Sequence, residues 1–180
     1  MSGVDWQEPV YQVRDLCKVY RSSGVAANDH ISLDVRRGEV FGIFGPNGPG
    51  KTTLVRQMAG LLRPTSGAIR LLTHDVVANP GVVPELVSYY GQRLAVLRAY
   101  KLHEVILHIA VLGGMSTYRA RRATADLLEA FELTPLANQL MLRLSGGQQR
   151  MALLLASLVS RLPVLILDEP TNELDPARRR

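Results

Sequence analysis

The residues best equipped for chemistry fall in two runs, GPNGPGKTT at 45–53 and VLILDEPTNELD at 164–175. In the first, Gly45, Gly48 and Gly50 lead into Lys51, Thr52 and Thr53, and the spacing fits G-x-x-x-x-G-K-[ST]. A glycine loop entering a helix offers unpaired backbone amides, and a partial positive charge, to a chain of phosphates. Lys51 adds a mobile charge for the outer phosphates, and Thr52 a hydroxyl ligand for Mg2+. The second run sets Asp168 and Glu169 at the end of an apolar strand. In open parallel sheets ligands bind beyond the carboxyl ends of the strands, so both acids would point to the same crevice as the glycine loop. One carboxylate would help hold Mg2+, while the other polarises a water for in-line attack on a terminal phosphorus.

A third run, LSGGQQR at 144–150, supports two readings. Ser145 with Gln148 three positions on forms a capping box, which would simply start the next helix. The adjacent Gly146 and Gly147 are costly in a first helical turn unless something must approach its backbone closely. A second phosphate site would meet that condition.

These runs need elements to hold them. Tyr11, Val13 and Leu16, then Ile31, Leu33 and Val35, alternate as in antiparallel strands, and RRGE at 36–39 turns the chain into EVFGIF. Residues 40–44 of that stretch are expected to form a short buried strand, and KTTLVRQMAGLL a helix ending near RPTSG. AIRLL and LVSYY read as further strands, the latter closing at Gly91 and Gln92. Residues 102–143 change to helical spacing: Leu102, Val105, Ile106, Ile109 and Leu112, then Ala120, Ala123, Leu127, Leu128 and Phe131 after a Ser116 cap. A third helix opens at Ser145 and leads into the strand at 164–167.

Composition fits one globular domain, with 47% hydrophobic and 21% charged residues. The formal net charge of +5 comes from arginines spread along the chain, which reads as a solvated basic surface, and no nucleic-acid partner is expected. Cys17, a single cysteine, fits a reducing compartment. The apolar run MALLLASLVSRLPVLIL is broken by Arg161 and Pro163, so it is expected to be a buried helix and strand, not a membrane span.

In order and spacing, 45–52, 144–148 and the run ending in Asp168 and Glu169 resemble the P-loop, signature and acidic-strand motifs of ABC ATPases, the nucleotide-binding subunits of ABC transporters. The resemblance covers nearly the whole chain. It implies an α/β fold of the P-loop NTPase type: a parallel core sheet, an N-terminal antiparallel β-subdomain and a helical insert. Residues 1–91 and 144–180 would form the nucleotide-binding core, with 92–143 as Q-loop and helical subdomain. ATP and Mg2+ are the implied cofactors. Tyr20 would stack on adenine, and Gly45, Asn47, Gly48, Gly50, Lys51, Thr52 and Thr53 would line the phosphates. Thr52, Gln92 and Asp168 would serve the metal, and Glu169, Gln92 and Lys51 the reaction. Ser145, Gly147 and Gln148, with Asp175, would meet nucleotide bound by a second copy or a paired ABC subunit, closing head to tail. A membrane permease is the implied partner, at the inner face of the plasma membrane. KLHEVILHIAVLGG and DEPTNELDPARRR resemble the exporter branch; a soluble ABC ATPase of translation and a nonhydrolytic module are the alternatives.

Set against that family, the strand after the acidic one and the H-loop histidine have no counterpart before Arg180, since His30, His74, His103 and His108 all precede the signature. The expectation is a truncated domain lacking the C-terminal part of its sheet, poorly stable and nearly inactive alone. A second departure is Pro49, where the family usually carries alanine, serine or cysteine. Proline has no N–H, so any phosphate contact from that amide is lost. Pro49→Ala is therefore expected to bind ATP more tightly than the unaltered protein in an equilibrium titration, and equal affinities would refute this.

Overall fold

A computed structural model describes residues 8–21, 24–46, 48, 50–91 and 95–170. The chain divides into two compact units, one ending at Glu85 and the other beginning at Leu86.

The first unit is built on an antiparallel sheet of order β2-β1-β3-β4. Its strands are β1 (Pro9–Val19), β2 (Ala26–Arg36), β3 (Ser66–Leu71) and β4 (His74–Asp75), with helix α1 (Gly50–Met58) between β2 and β3. Val13 stands opposite Leu33 on one side and Ile69 on the other. Tyr11, Val13 and Leu16 are buried with Ile69 and Leu71, as period-two alternation requires of a half-buried sheet. Buried Leu54 and Met58 of α1 add to this core, and the Tyr11 hydroxyl donates to Met58 O at 2.9 Å. Burial raises the Tyr11 phenol above its ordinary pKa. Helix α1 ends at Met58, earlier than its periodicity suggests. Gly60 takes φ +69°, while Gly60 N donates to Gln57 O and Leu61 N to Arg56 O, a glycine-turned helix stop.

Residues 40–44 correct the sequence reading. They carry no strand assignment, and Val40 is 99% and Phe44 93% exposed. A strand exists only through a ladder with a neighbour, and among the described residues no strand pairs with this run. Its apolar composition alone does not supply one.

The second unit is mostly helical. Helix α2 (Val83–Leu86) is a single turn at the junction, followed by β5 (Val87–Tyr90), α3 (Leu102–Leu112), α4 (Thr117–Ala130), α5 (Gly146–Val159) and β6 (Val164–Leu167). The predicted spacing holds in part: Leu102, Val105 and Ile106 of α3, joined by Ala110, pack with Ala120 and Leu128 of α4 and Ala152, Leu155, Ala156 and Val159 of α5, and Ile109, Ala123 and Leu127 lie half-buried against them. Leu112 and Phe131 depart from it: they stand at the C-terminal ends of α3 and α4, past the shared core, and are exposed. Ser116 caps α4 by accepting from Arg119 N. Strands β5 and β6 pair in parallel, from Val87 opposite Val164 to Tyr90 opposite Leu167, and they are the parallel pair among the described residues.

Strand β1 carries a bulge. Its register with β2 shifts between Val13 and Leu16, and Asp15 adopts φ +50°. Facing it, Gly67 of β3 takes φ +89°, and a Cβ there would stand 2.6 Å from Leu16 Cα and closer still to Asp15 O. We expect Gly67→Ala to destabilise the protein by about 1–3 kcal/mol. Urea denaturation followed by circular dichroism would show the lower midpoint, while Gly45→Ala, in open space, should change stability by less than about 0.5 kcal/mol.

Candidate functional site

The first cluster surrounds the start of α1. Gly50 begins the helix so close to β2 that a Cβ would lie 2.8 Å from Ala27 O. Asn28 Nδ2 donates to Gly50 O at 3.0 Å and pins that contact. Asn28 is 6% exposed, and its Oδ1 has no partner among the described residues. Lys51 Nζ turns back on the loop, donating to Gly45 O at 2.9 Å and Pro46 O at 2.6 Å. Its charge therefore lies against the loop's own backbone. A Cβ placed on Gly45 or Gly48 would meet nothing within 4 Å among the described residues, so none of their atoms demands glycine there. Backbone kept bare with no internal packing reason fits a cradle for a group from outside the chain. Thr53 is buried, and its Oγ1 lies 3.0 Å from the Tyr20 hydroxyl. Lys18 Nζ stands 5.7 Å from the Tyr20 ring centroid. The structure thus brings Tyr20, expected to stack on a base, to the loop helix. Thr52 lies in the first turn of α1, half-buried.

The second unit holds the acids and the signature run. Asp168 follows β6 directly, and its N–H donates to Tyr90 O at 2.9 Å, extending the parallel ladder by one residue. Its side chain is 4% exposed and accepts from the Tyr89 hydroxyl at 3.0 Å on Oδ2. Burial raises the pKa of the adjacent Tyr90 phenol, against a smaller lowering by Arg150. Glu169 is exposed and held at φ +51°, a conformation that a non-glycine residue adopts only where its surroundings impose it. The two acids therefore differ in kind: one is fixed and buried, the other open to solvent.

At α5 the capping box is realised in full. Ser145 Oγ accepts from Gln148 N at 3.3 Å, and Ser145 N donates to Gln148 Oε1 at 2.9 Å. The box accounts for the serine and the glutamine but not for Gly146 and Gly147, whose Cβ positions face nothing within 4 Å. Two glycines in a first turn cost about 1 kcal/mol each relative to alanine. That cost again has no packing explanation among the described residues.

Asn47, Pro49, Gln92 and Asp175 lie outside the described residues. Sequence reasoning missed Asn28 and Tyr89, which hold the loop helix and the buried acid through contacts distant in the chain.

Residues 28–172 match the protein-family model described as ABC transporter. The chain is 40% identical over 164 residues to the daunorubicin/doxorubicin resistance ATP-binding protein DrrA of Streptomyces peucetius, covering 91% of this chain and 49% of that protein. It is 38% identical over 168 residues to the doxorubicin resistance ATP-binding protein DrrA of Mycobacterium tuberculosis, covering 93% of this chain and 51% of the relative. It therefore spans about half the length of these curated relatives. Among solved structures, cbiO1 from Clostridium perfringens, part of the ABC transporter complex cbiONQ, superposes with a TM-score of 0.79 at 28% identity, covering 95% of this chain and 69% of that one.

Loss of the Tyr89 hydroxyl removes a hydrogen bond from a buried carboxylate. Tyr89→Phe is expected to cost about 1–3 kcal/mol of stability, measured by urea denaturation. A change below about 0.5 kcal/mol would mean that the hydroxyl does not hold Asp168.

Proposed function

The chain belongs to the ABC transporter family, and on that premise we propose that it binds Mg2+-ATP and hydrolyses it to drive a membrane permease of the exporter type. The observation that carries this reading is the start of α1, where Lys51 sits against the carbonyls of Gly45 and Pro46 beside glycine backbone that no atom of the described residues crowds. A polyphosphate offers Lys51 oxygens of full negative charge in place of neutral carbonyls, a stronger class of hydrogen bond. Gly45, Asn47, Gly48, Gly50, Thr52 and Thr53 would complete the cradle, and Tyr20 would bind the base with its hydroxyl anchored on Thr53.

Thr52, Gln92 and Asp168 would hold Mg2+, which when bound neutralises charge on the outer phosphates. Burial and the Tyr89 bond keep Asp168 in one orientation, as a ligand requires. Exposed Glu169 would take a proton from the attacking water as its oxygen bonds to the terminal phosphorus and the bridging oxygen leaves with the diphosphate. Bare backbone at Gly146 and Gly147 supports a second contact, by Ser145, Gly147 and Gln148, to nucleotide held by another copy or a paired subunit. Asp175 would stand at that junction.

The exporter reading rests on the relatives, both named as drug-resistance ATP-binding proteins. Among the described residues no helix is long and apolar enough to cross a membrane. In keeping with its family, the subunit would join a permease at the inner face of the plasma membrane.

Two substitutions separate binding from reaction. Lys51→Ala should weaken binding of a fluorescent ATP analogue with Mg2+ by at least about tenfold, the equivalent of one lost charge-assisted bond. Glu169→Gln should retain that nucleotide while phosphate release falls by about 10²-fold or more. Unchanged affinity in the first removes the cradle; unchanged turnover in the second removes Glu169 as the base.

A further inference from the structure

Away from the nucleotide loop, the β1 bulge gathers a set of donors that neither packing nor the proposed reaction uses. Cys17 on β1 and Asp29 and His30 on β2 place a sulfur, a carboxylate oxygen and a ring nitrogen all within 4.8 Å of one another. His30 Nε2 lies 3.7 Å from Asp29 Oδ1. On the other side of the ring, His30 Nδ1 is hydrogen-bonded to Asp15 Oδ1 at 2.5 Å. The imidazole is thus oriented by one carboxylate while its second nitrogen faces the other. A carboxylate behind a histidine is the usual outer support of a metal-ligating imidazole, fixing its tautomer and its direction.

Backbone conformation contributes to the same arrangement. Asp15 and His30 both occupy the left-handed region, at φ +50° and +49°, a cost that neither residue type avoids as glycine would. The main-chain N–H of His30 donates to Cys17 Sγ at 3.3 Å, which fixes the sulfur beside the ring. The Cys17 S–H in turn lies 3.8 Å from Asp15 O. Asp29 and His30 are exposed and Cys17 is half-buried, so the cluster is open to solvent.

We propose that Cys17, Asp29 and His30 form a surface site for a divalent transition metal, best suited to Zn2+, with Asp15 as the positioning residue behind His30. One thiolate, one imidazole and one carboxylate match the donors that Zn2+ takes, and three protein ligands leave one tetrahedral position for water. Donors bound at about 2.0–2.3 Å in a tetrahedron lie roughly 3.3–3.8 Å apart, so the existing spacing needs only small side-chain adjustments. Binding would release the Cys17 thiol proton to solvent and join β1 to β2 by a coordinate link. That link lies in the strand ends that carry Tyr20 and, through Asn28, the start of α1. The inference is independent of the nucleotide reading.

Titration of the full chain with Co2+, without nucleotide, tests it directly. We expect one equivalent to give a near-ultraviolet thiolate-to-metal absorption, displaced by Zn2+. Cys17→Ser should abolish that absorption, and His30→Ala or Asp29→Ala should weaken binding by at least about tenfold. Asp15→Asn should weaken it by about 10- to 100-fold while leaving the absorption in place. Zn2+ should also raise the melting temperature of the unaltered protein but not of Cys17→Ser. Saturating Co2+ without the thiolate absorption would overturn the proposal whatever the variants do, as would undiminished affinity in folded Cys17→Ser.

Discussion

On the proposed nucleotide reading, helix α1 must start with its backbone amides uncovered and yet be held still, and the contacts of the first unit meet that pair of demands. Ordinary packing would immobilise a helix start by covering it. Here the restraints come from the side and from the far end instead. Asn28 Nδ2 grips Gly50 O, Tyr20 meets Thr53 Oγ1, and Tyr11 donates to Met58 O at the last turn. Asn28 and Tyr11 lie on β2 and β1, and Tyr20 directly follows β1, so the antiparallel sheet acts as the mount for the helix. Gly50 is required by the same geometry, since any side chain there would push the helix off the Ala27 carbonyl.

The second unit solves a similar problem by local means. At α5 the capping box closes the helix start within four residues, and α3, α4 and α5 share one apolar core that fixes the helix along its length. Ser145 and Gln148 satisfy each other while Gly146 and Gly147 stay bare. Capping and ligand contact are therefore compatible: the cap uses the serine and glutamine side chains, whereas the glycines leave room over the backbone. The two readings of LSGGQQR describe different atoms of one turn.

What was legible in the sequence follows the range of the interaction that decides each feature. The Ser145–Gln148 box, the Ser116 cap and the helical stripe at Leu102, Val105, Ile106 and Ile109 are set by residues a few positions apart, and each appears where the pattern placed it, whereas Leu112 at the end of α3 is exposed. Strand β6 matches the run at 164–167 because it is bounded by Pro163 on one side and paired along its whole length with β5. Asn28 and Tyr89 could not be assigned, because their partners Gly50 and Asp168 are distant in the chain and become neighbours only on folding. The left-handed Asp15 and His30 were equally hidden. Asp tolerates that conformation in many settings, and only the register shift against β2 shows where it is used.

Residues 40–44 show the limit most clearly. Helix periodicity can be read from one segment, because an α-helix satisfies its backbone internally; a strand cannot, because every amide and carbonyl needs a second segment. The run VFGIF has strand-forming composition, yet Val40 and Phe44 are almost wholly exposed and no ladder reaches it among the described residues. By contrast VLIL, with no better composition, forms β6 because VSYY lies beside it in parallel register. Even there the faces alternate, with Leu165 and Leu167 39% and 38% exposed, whereas parallel strands normally bury both faces. Apolar sequence thus marks a segment that can become a strand, and the neighbour decides whether it does. The anchoring of the loop helix follows from this: with 40–44 unpaired among the described residues, its position rests on the bonds from Asn28, Tyr20 and Tyr11 and not on a strand before it.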